Sequence, residues 1–179
     1  MQYYQMLLLG AALVLPACGG ELEPTRPLAY SAAIDPAFSR SQVKAITAAL
    51  DDWNTAIPEL HVTYAIAACD SPLPHEVCFH PSNDLPNMRD DIVGDTQPAG
   101  SEGSTVTLYV YRIEASRYDL SVLLRQTAAH EMGHAMGLKH SASGTLMARY
   151  AEQQTPSATS ADVAQFWSVS GEPESELQD

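Results

Sequence analysis

Residues 130–140 read His-Glu-Met-Gly-His-Ala-Met-Gly-Leu-Lys-His. Two histidines four apart on a helix lie one turn apart on nearly the same face, at about 100° per residue. His130 and His134 can therefore present two imidazoles to one ion, and imidazole nitrogens suit zinc at about 2.0–2.1 Å. Glu131 falls on the adjoining side of that face, where a carboxylate can take a proton from water without ligating the ion. On a continuing helix His140 would sit almost two turns beyond His134 and point elsewhere. Gly137 lets the chain leave the helix and fold back, because glycine takes positive φ at low cost. The spacing makes sense as a unit: two ligands on a helix, a breaker, and a third ligand past the turn. Three protein nitrogens with an open fourth position are the donor set of catalytic zinc, whereas a structural site closes all four.

Several elements must position these groups. The helix carrying His130 and His134 is expected to begin at Asp119 or Ser121, to run through Val122, Leu123, Gln126, Ala129 and Met136, and to stop at Gly137. An earlier helix, capped by Ser39 or Ser41, carries Val43, Ile46, Leu50, Trp53 and Ile57 at offsets 0, 3, 7, 10 and 14, and Pro58 ends it. Those offsets form one apolar stripe at helical period. Strands are expected over residues 28–34 and 60–67, with a short one at 77–80. The clearest runs over 105–113, which is β-branched and aromatic. Residues 81–103 are rich in Asp, Asn, Pro and Gly and read mostly as loop, with Gly94-Asp95-Thr96 touching a sheet edge. A short last helix is expected over 160–169, with Ser160 as its cap. A helix among strands followed by a long helix indicates an α+β fold with a mixed sheet.

His130, Glu131, His134, Gly137 and His140 each match the extended zinc motif HExxHxxGxxH of the metzincins, and the chain resembles that family. Met147, in Gly144-Thr145-Leu146-Met147, is similar in position to the family's Met-turn. The resemblance implies that this methionine packs as an apolar floor beneath the zinc site. Ser141, directly after the third histidine, looks like the matrixin branch rather than astacins (Glu) or adamalysins (Asp). Residues 26–53 resemble the start of a matrixin catalytic domain, with Pro27-x-x-Tyr30 opening a strand and Ala49-x-x-x-Trp53 ending a helix. The resemblance covers about residues 27–169. It implies a metzincin-like α+β fold: a small twisted mixed sheet, two long helices including the zinc-binding helix, the Met-turn and a short C-terminal helix. It also implies one catalytic Zn²⁺ and a protein or peptide substrate laid along an edge strand, for which residues 94–104 are the candidate. Calcium is compatible with the family but no motif here supports it.

The chain departs from matrixins in places. Ala148-Arg149-Tyr150 replaces the Tyr-Pro that commonly follows the Met-turn, and Tyr150 stands one residue too late to copy the Met-x-Tyr ligand of astacins. Cys18, in Pro-Ala-Cys-Gly-Gly, is not in a cysteine-switch sequence. His61, His75 and His80 lack the spacing of the matrixin structural zinc site and read as surface or loop residues. The function implied is a zinc-dependent endopeptidase with Glu131 as general base. The alternative is a non-catalytic envelope lipoprotein that keeps zinc as a staple and binds peptides or proteins. Glu131 discriminates, because a staple has no use for a general base.

With 179 residues and 45% apolar content the chain suits one domain. Its net charge of −13, from 22 acidic against 9 basic residues, argues against nucleic acid as a partner. Residues 6–15 (MLLLGAALVL) are apolar and too short to span a bilayer comfortably, as in an export signal. They run into Leu15-Pro16-Ala17-Cys18, which resembles the bacterial lipoprotein box and makes Cys18 the candidate acylated residue. The expected organisation is a signal peptide over 1–17, a tether over 18–27, the peptidase domain over 28–170 and an acidic tail over 171–179. The expected location is the cell envelope, periplasmic or outer surface, or else the secreted space, with membrane contact only through Cys18. Cys69 and Cys78 remain as an even pair that an oxidising compartment would bridge. On chain-entropy grounds so short a loop contributes roughly 2.7 kcal/mol. The lipoprotein expectation is checked by mass spectrometry after expression in a lipoprotein-processing bacterium: the mature chain should begin at Cys18 with the mass of attached acyl groups, and an unmodified Cys18 refutes it.

Overall fold

The computed structural model describes residues 28–83, 92–98 and 103–170. The expected signal segment 1–17, the tether 18–27 with Cys18 and the tail 171–179 lie outside the described residues. Strand β1 spans Ala29–Ile34, helix α1 Arg40–Ala56, β2 His61–Ile66 and β3 Glu76–Ser82. They are followed by β4 over Gly94–Pro98, β5 over Ser104–Tyr109, α2 over Val110–Ala115, α3 over Leu120–Ala135 and α4 over Ser160–Ser170. The five strands form one sheet in the order β2-β1-β3-β5-β4. The pairs β1–β2, β1–β3 and β3–β5 are parallel, and β4 runs antiparallel to β5 at the edge. This is a mixed α+β arrangement of the kind the sequence implies. Among the described residues no helix is long and apolar enough to cross a membrane.

Helix α1 starts where Ser39 forms a reciprocal cap with Gln42: the Ser39 amide donates to Gln42 Oε1 at 2.7 Å, and the Gln42 amide to Ser39 Oγ at 3.4 Å. Each such pair satisfies two helix-end amides that have no partner within the helix. Of its expected stripe, Ile46, Leu50, Trp53 and Ile57 are buried and Val43 packs at the margin. They meet Ile34, Phe79, Val106 and Leu108 of the sheet and Leu124, Ala128 and Met132 of α3 in one continuous core. Burying each large aliphatic or aromatic side chain stabilises by roughly 1.5–3 kcal/mol. Asn54 closes the turn after α1 by donating to the Val62 carbonyl at 2.9 Å and accepting from its amide at 2.8 Å. Cys69 and Cys78 are bridged with their Cα atoms 5.7 Å apart, which ties the loop after β2 to β3.

Some details differ from the expectation, and the short strand expected over 77–80 extends as β3 to Glu76–Ser82. The strand expected over 105–113 ends at Tyr109, and the chain turns into α2. Pairing with β3 runs out at Tyr109 and pairing with β4 at Leu108, so the next backbone groups have no ladder to join among the described residues. A helical turn satisfies them locally, with Val110 and Ile113 buried on one face and Tyr111 left exposed. The last helix starts at Ser160 as expected, but its cap is Thr159: the Val163 amide donates to the Thr159 carbonyl at 3.0 Å, and the Thr159 amide to Asp162 Oδ2 at 2.8 Å. The residues expected mostly as loop contain β4, a full edge strand.

Two polar ties hold α1 to α3. Arg125 donates to both oxygens of Asp52, Nε to Oδ2 at 2.7 Å and a terminal nitrogen to Oδ1 at 2.6 Å. The fully buried Trp53 donates its indole N–H to the Ala129 carbonyl at 2.8 Å, one residue before His130. Trp53→Phe removes that donor and leaves a void. Urea unfolding should show a loss on the order of 1–3 kcal/mol; an unchanged midpoint would mean the indole does not brace α3.

Candidate metal centre

Helix α3 is capped by Asp119, whose Oδ1 accepts from the amides of Ser121 at 2.9 Å and Val122 at 3.2 Å. It places His130, Glu131 and His134 on one side. At its other end Gly137 adopts φ 89°. The Leu138 amide donates to the Gly133 carbonyl at 2.9 Å and the Gly137 amide to the His134 carbonyl at 2.8 Å. This left-handed turn satisfies the last carbonyls and reverses the chain. His140 thereby returns to the helix: its ring centroid lies 4.7 Å from that of His134 and 5.3 Å from that of His130. Ligand atoms of all three histidines lie within 4.8 Å of one another, as a metal site requires.

The ring orientations test whether zinc fits. His130 Nδ1 lies 2.9 Å from the Leu146 carbonyl, and His134 Nδ1 lies 2.9 Å from the Leu138 carbonyl. A carbonyl accepts only, so each Nδ1 carries the proton and each Nε2 offers its lone pair. The Gln154 amide nitrogen also stands 3.0 Å from His130 Nδ1 and donates one of its two protons to the Ala148 carbonyl at 3.0 Å; the Leu146 carbonyl remains the nearer partner of Nδ1 and can only accept. Such carbonyl-anchored imidazoles are the usual supports of zinc ligands. His134 Nε2 and His140 Nε2 face each other at 3.2 Å, a separation at which both nitrogens could be offered to one shared cation. The donor set and its orientation fit zinc.

Electrostatics point the same way. Burial holds His130 down at about 4. His134 is lowered chiefly by burial, and His140 by burial and then by the nearby His134 and Arg149. All three are therefore neutral imidazoles at neutral pH, the form that binds metal. Glu131 is buried, and that burial pushes its carboxyl up to about 7, against a hydrogen bond from Thr96 and with help from the charge of Asp95.

Met147 lies fully buried under α3, so close that a Cβ on Gly133 would collide with its sulfur. The Met147 carbonyl accepts from the Ser141 amide at 2.8 Å, which pins the residue after His140. A residue the sequence reading missed sits behind this turn. Asp162 of α4, 1% exposed, accepts from the amides of Leu146 at 3.0 Å and Met147 at 3.1 Å, and from both the amide and hydroxyl of Thr159. The signal for it was Thr159-x-x-Asp162, a capping-box pattern.

The histidines and Glu131 open onto a cleft of about 960 Å³ that also borders Gly94, Asp95 and Thr96 of β4 and Arg149, Tyr150, Ala151 and Gln154. Tyr150 lines this cleft and is 38% exposed. The other histidines do not join the centre: His61 and His75 are exposed, and His80 Nδ1 pairs with Asp35 at 3.2 Å.

Because Leu146 both receives His130 and depends on Asp162, the effect of Asp162→Ala should reach the metal. Its loss strands buried amides and should destabilise the domain by roughly 2–4 kcal/mol. Zinc affinity, read by competition with a chelating dye, should fall about 10–100-fold, as when a support of a metal ligand is removed. Unaltered affinity in a folded variant would disconnect α4 from the centre.

The geometry has a counterpart among known families. The chain matches the family model of the matrixins, Peptidase_M10, over residues 95–169. No curated protein sequence matches it. The matched segment runs from β4 through the histidines and the Met147 turn into α4, and it supports a metzincin-like zinc metallopeptidase.

Proposed function

We propose that this protein is a zinc-dependent endopeptidase of matrixin-like type, with His130, His134 and His140 as ligands and Glu131 as general base. The observation that carries the reading is the convergence of three imidazoles, two of them anchored by backbone carbonyls, beside a buried carboxylate in a cleft bounded by an edge strand. Zinc bound there supplies a Lewis acid for a peptide carbonyl and makes water acidic enough to attack it. Glu131 accepts the proton of the attacking water and passes it to the leaving amine. The edge of β4, which pairs with no further strand among the described residues, would offer backbone groups to an extended peptide joining as an added strand. Protein or peptide substrates follow from this reading. Export, with Cys18 as an acylated anchor in the cell envelope, belongs to the same proposal and is supported by the apolar run 6–15 and by the Cys69–Cys78 bridge.

Two substitutions separate metal binding from chemistry. His134→Ala should lower zinc per chain and reduce stability, since metal binding adds to folding free energy. Glu131→Ala should keep zinc and fold but cut casein-like substrates more slowly by about 10²–10⁴-fold, the usual contribution of general acid–base catalysis. Zinc per chain and cleavage rate are compared across the three proteins. If Glu131→Ala cleaves like wild type, the assignment of the base fails. If zinc-loaded wild type cuts nothing in a diverse peptide library, the endopeptidase reading is withdrawn.

A further inference from the structure

Strand β4 touches Glu131 at two positions. Thr96 Oγ1 lies 2.6 Å from Glu131 Oε2 and 3.1 Å from the Glu131 backbone carbonyl. The hydroxyl has one proton, and the shorter contact to a carboxylate oxygen is the stronger acceptor. Two residues earlier on the same strand face, Gly94 presents no side chain. A Cβ there would stand 2.8 Å from Glu131 Oε1, 2.9 Å from its Cγ and 2.7 Å from Thr127 Cγ2. One carboxylate oxygen is thus tethered by Thr96, and the other is left uncovered by Gly94. The pairing Thr96↔Val106 fixes the height of the tether against β5.

We infer that Thr96 is a positioning residue: its hydroxyl holds the Glu131 carboxylate in the orientation in which the free oxygen meets the attacking water. The inference deepens the peptidase reading and rests on it for its kinetic consequence, though not for the tether itself. It also joins two functions in one strand. The edge that would pair with substrate is the edge that aims the base, so a peptide drawing β4 into register steadies Glu131 at the same time. Nothing in the zinc motif encodes this, because Thr96 lies 35 residues upstream of Glu131.

The test uses the mature domain with Thr96→Val, Thr96→Ala and Thr96→Ser. Valine keeps the shape and loses the hydroxyl, alanine guards against a steric failure of valine, and serine restores the donor. With zinc per chain equal to wild type, Val and Ala should lower kcat roughly 10–100-fold, as for loss of a hydrogen bond to a charged group. KM should stay within about twofold, because the hydroxyl touches the base and not the peptide. Serine should recover most of the lost kcat. A second readout does not need activity: crystal structures of the metal-free wild type and Thr96→Val. The Glu131 carboxylate should keep its contact with Thr96 in wild type and shift or lose order in the variant. A zinc-loaded Val or Ala variant with wild-type kcat, a Ser variant as impaired as Val, or an unmoved carboxylate in the Val structure each overturns the assignment. An inactive wild type whose carboxylate still moves in the variant would sink the peptidase reading and leave the tether standing.

Discussion

Two imidazoles on one helix turn their Nε2 atoms to one point when the Nδ1 of each is held elsewhere, and much of this structure follows from where the Nδ1 atoms of His130 and His134 are held. His130 spends its Nδ1 proton on the Leu146 carbonyl, which brings the turn containing Met147 against the zinc helix. His134 spends its own on Leu138, the residue just past the reversal at Gly137. The helix end, the reversal and the following turn are therefore not separate features but one closed circuit of backbone carbonyls. Gly133 and Gly137 are its two steric conditions. The first leaves room for the Met147 sulfur, and the second takes a backbone conformation that other residues adopt only at a cost.

That circuit needs fixed neighbours, and both ends of the chain provide them. From the C-terminal side, Asp162 places a buried carboxylate under the amides of Leu146 and Met147. Charge-assisted bonds of this kind are stronger than neutral ones. From the N-terminal side, α1 grips α3 through Trp53 and the Asp52–Arg125 pair. The partly exposed ion pair contributes little by itself; the apolar stripe buried beside it does the larger share. The first half of the described chain thus works as a seat for a helix whose polar face must be kept in place.

How much of this is legible in the sequence depends on the distance over which each interaction acts. The zinc helix, the Ser39 and Asp119 caps, the α1 stripe and the reversal at Gly137 all arise from contacts within a few residues, and periodicity and turn chemistry reveal them. The convergence of His140 with His130 and His134 is legible for the same reason, since one glycine accounts for it. Strand order is different: β1 pairs with both β2 and β3, and β3 with β5, through registers that no local pattern specifies. The end of β5 at Tyr109 is set by where its neighbours stop, which the β-branched run of residues 105–113 does not record. Thr96 and Gly94 lie in a segment whose composition reads as loop, and only the sheet brings them to Glu131. Asp162 was hidden by taking Ser160 as the cap; the Thr159-x-x-Asp162 pattern was visible but competed with an equally acceptable serine.

The charge of the chain finds a local meaning in this arrangement. An overall balance of −13 says little about substrate. At the centre, however, Asp95 acts on both Glu131 and His134, favouring protonation of each. Three neutral imidazoles flanked by two carboxyl groups form a place where added positive charge is stabilised rather than repelled. A divalent cation held there would draw on both His134 Nε2 and His140 Nε2 and offset the carboxylates at once. A proton on one ring would serve a single nitrogen, and burial disfavours it at His130. Burial thus keeps these histidines unprotonated, with their lone pairs available to a cation, and it sets the buried carboxyl group of Glu131 beside them.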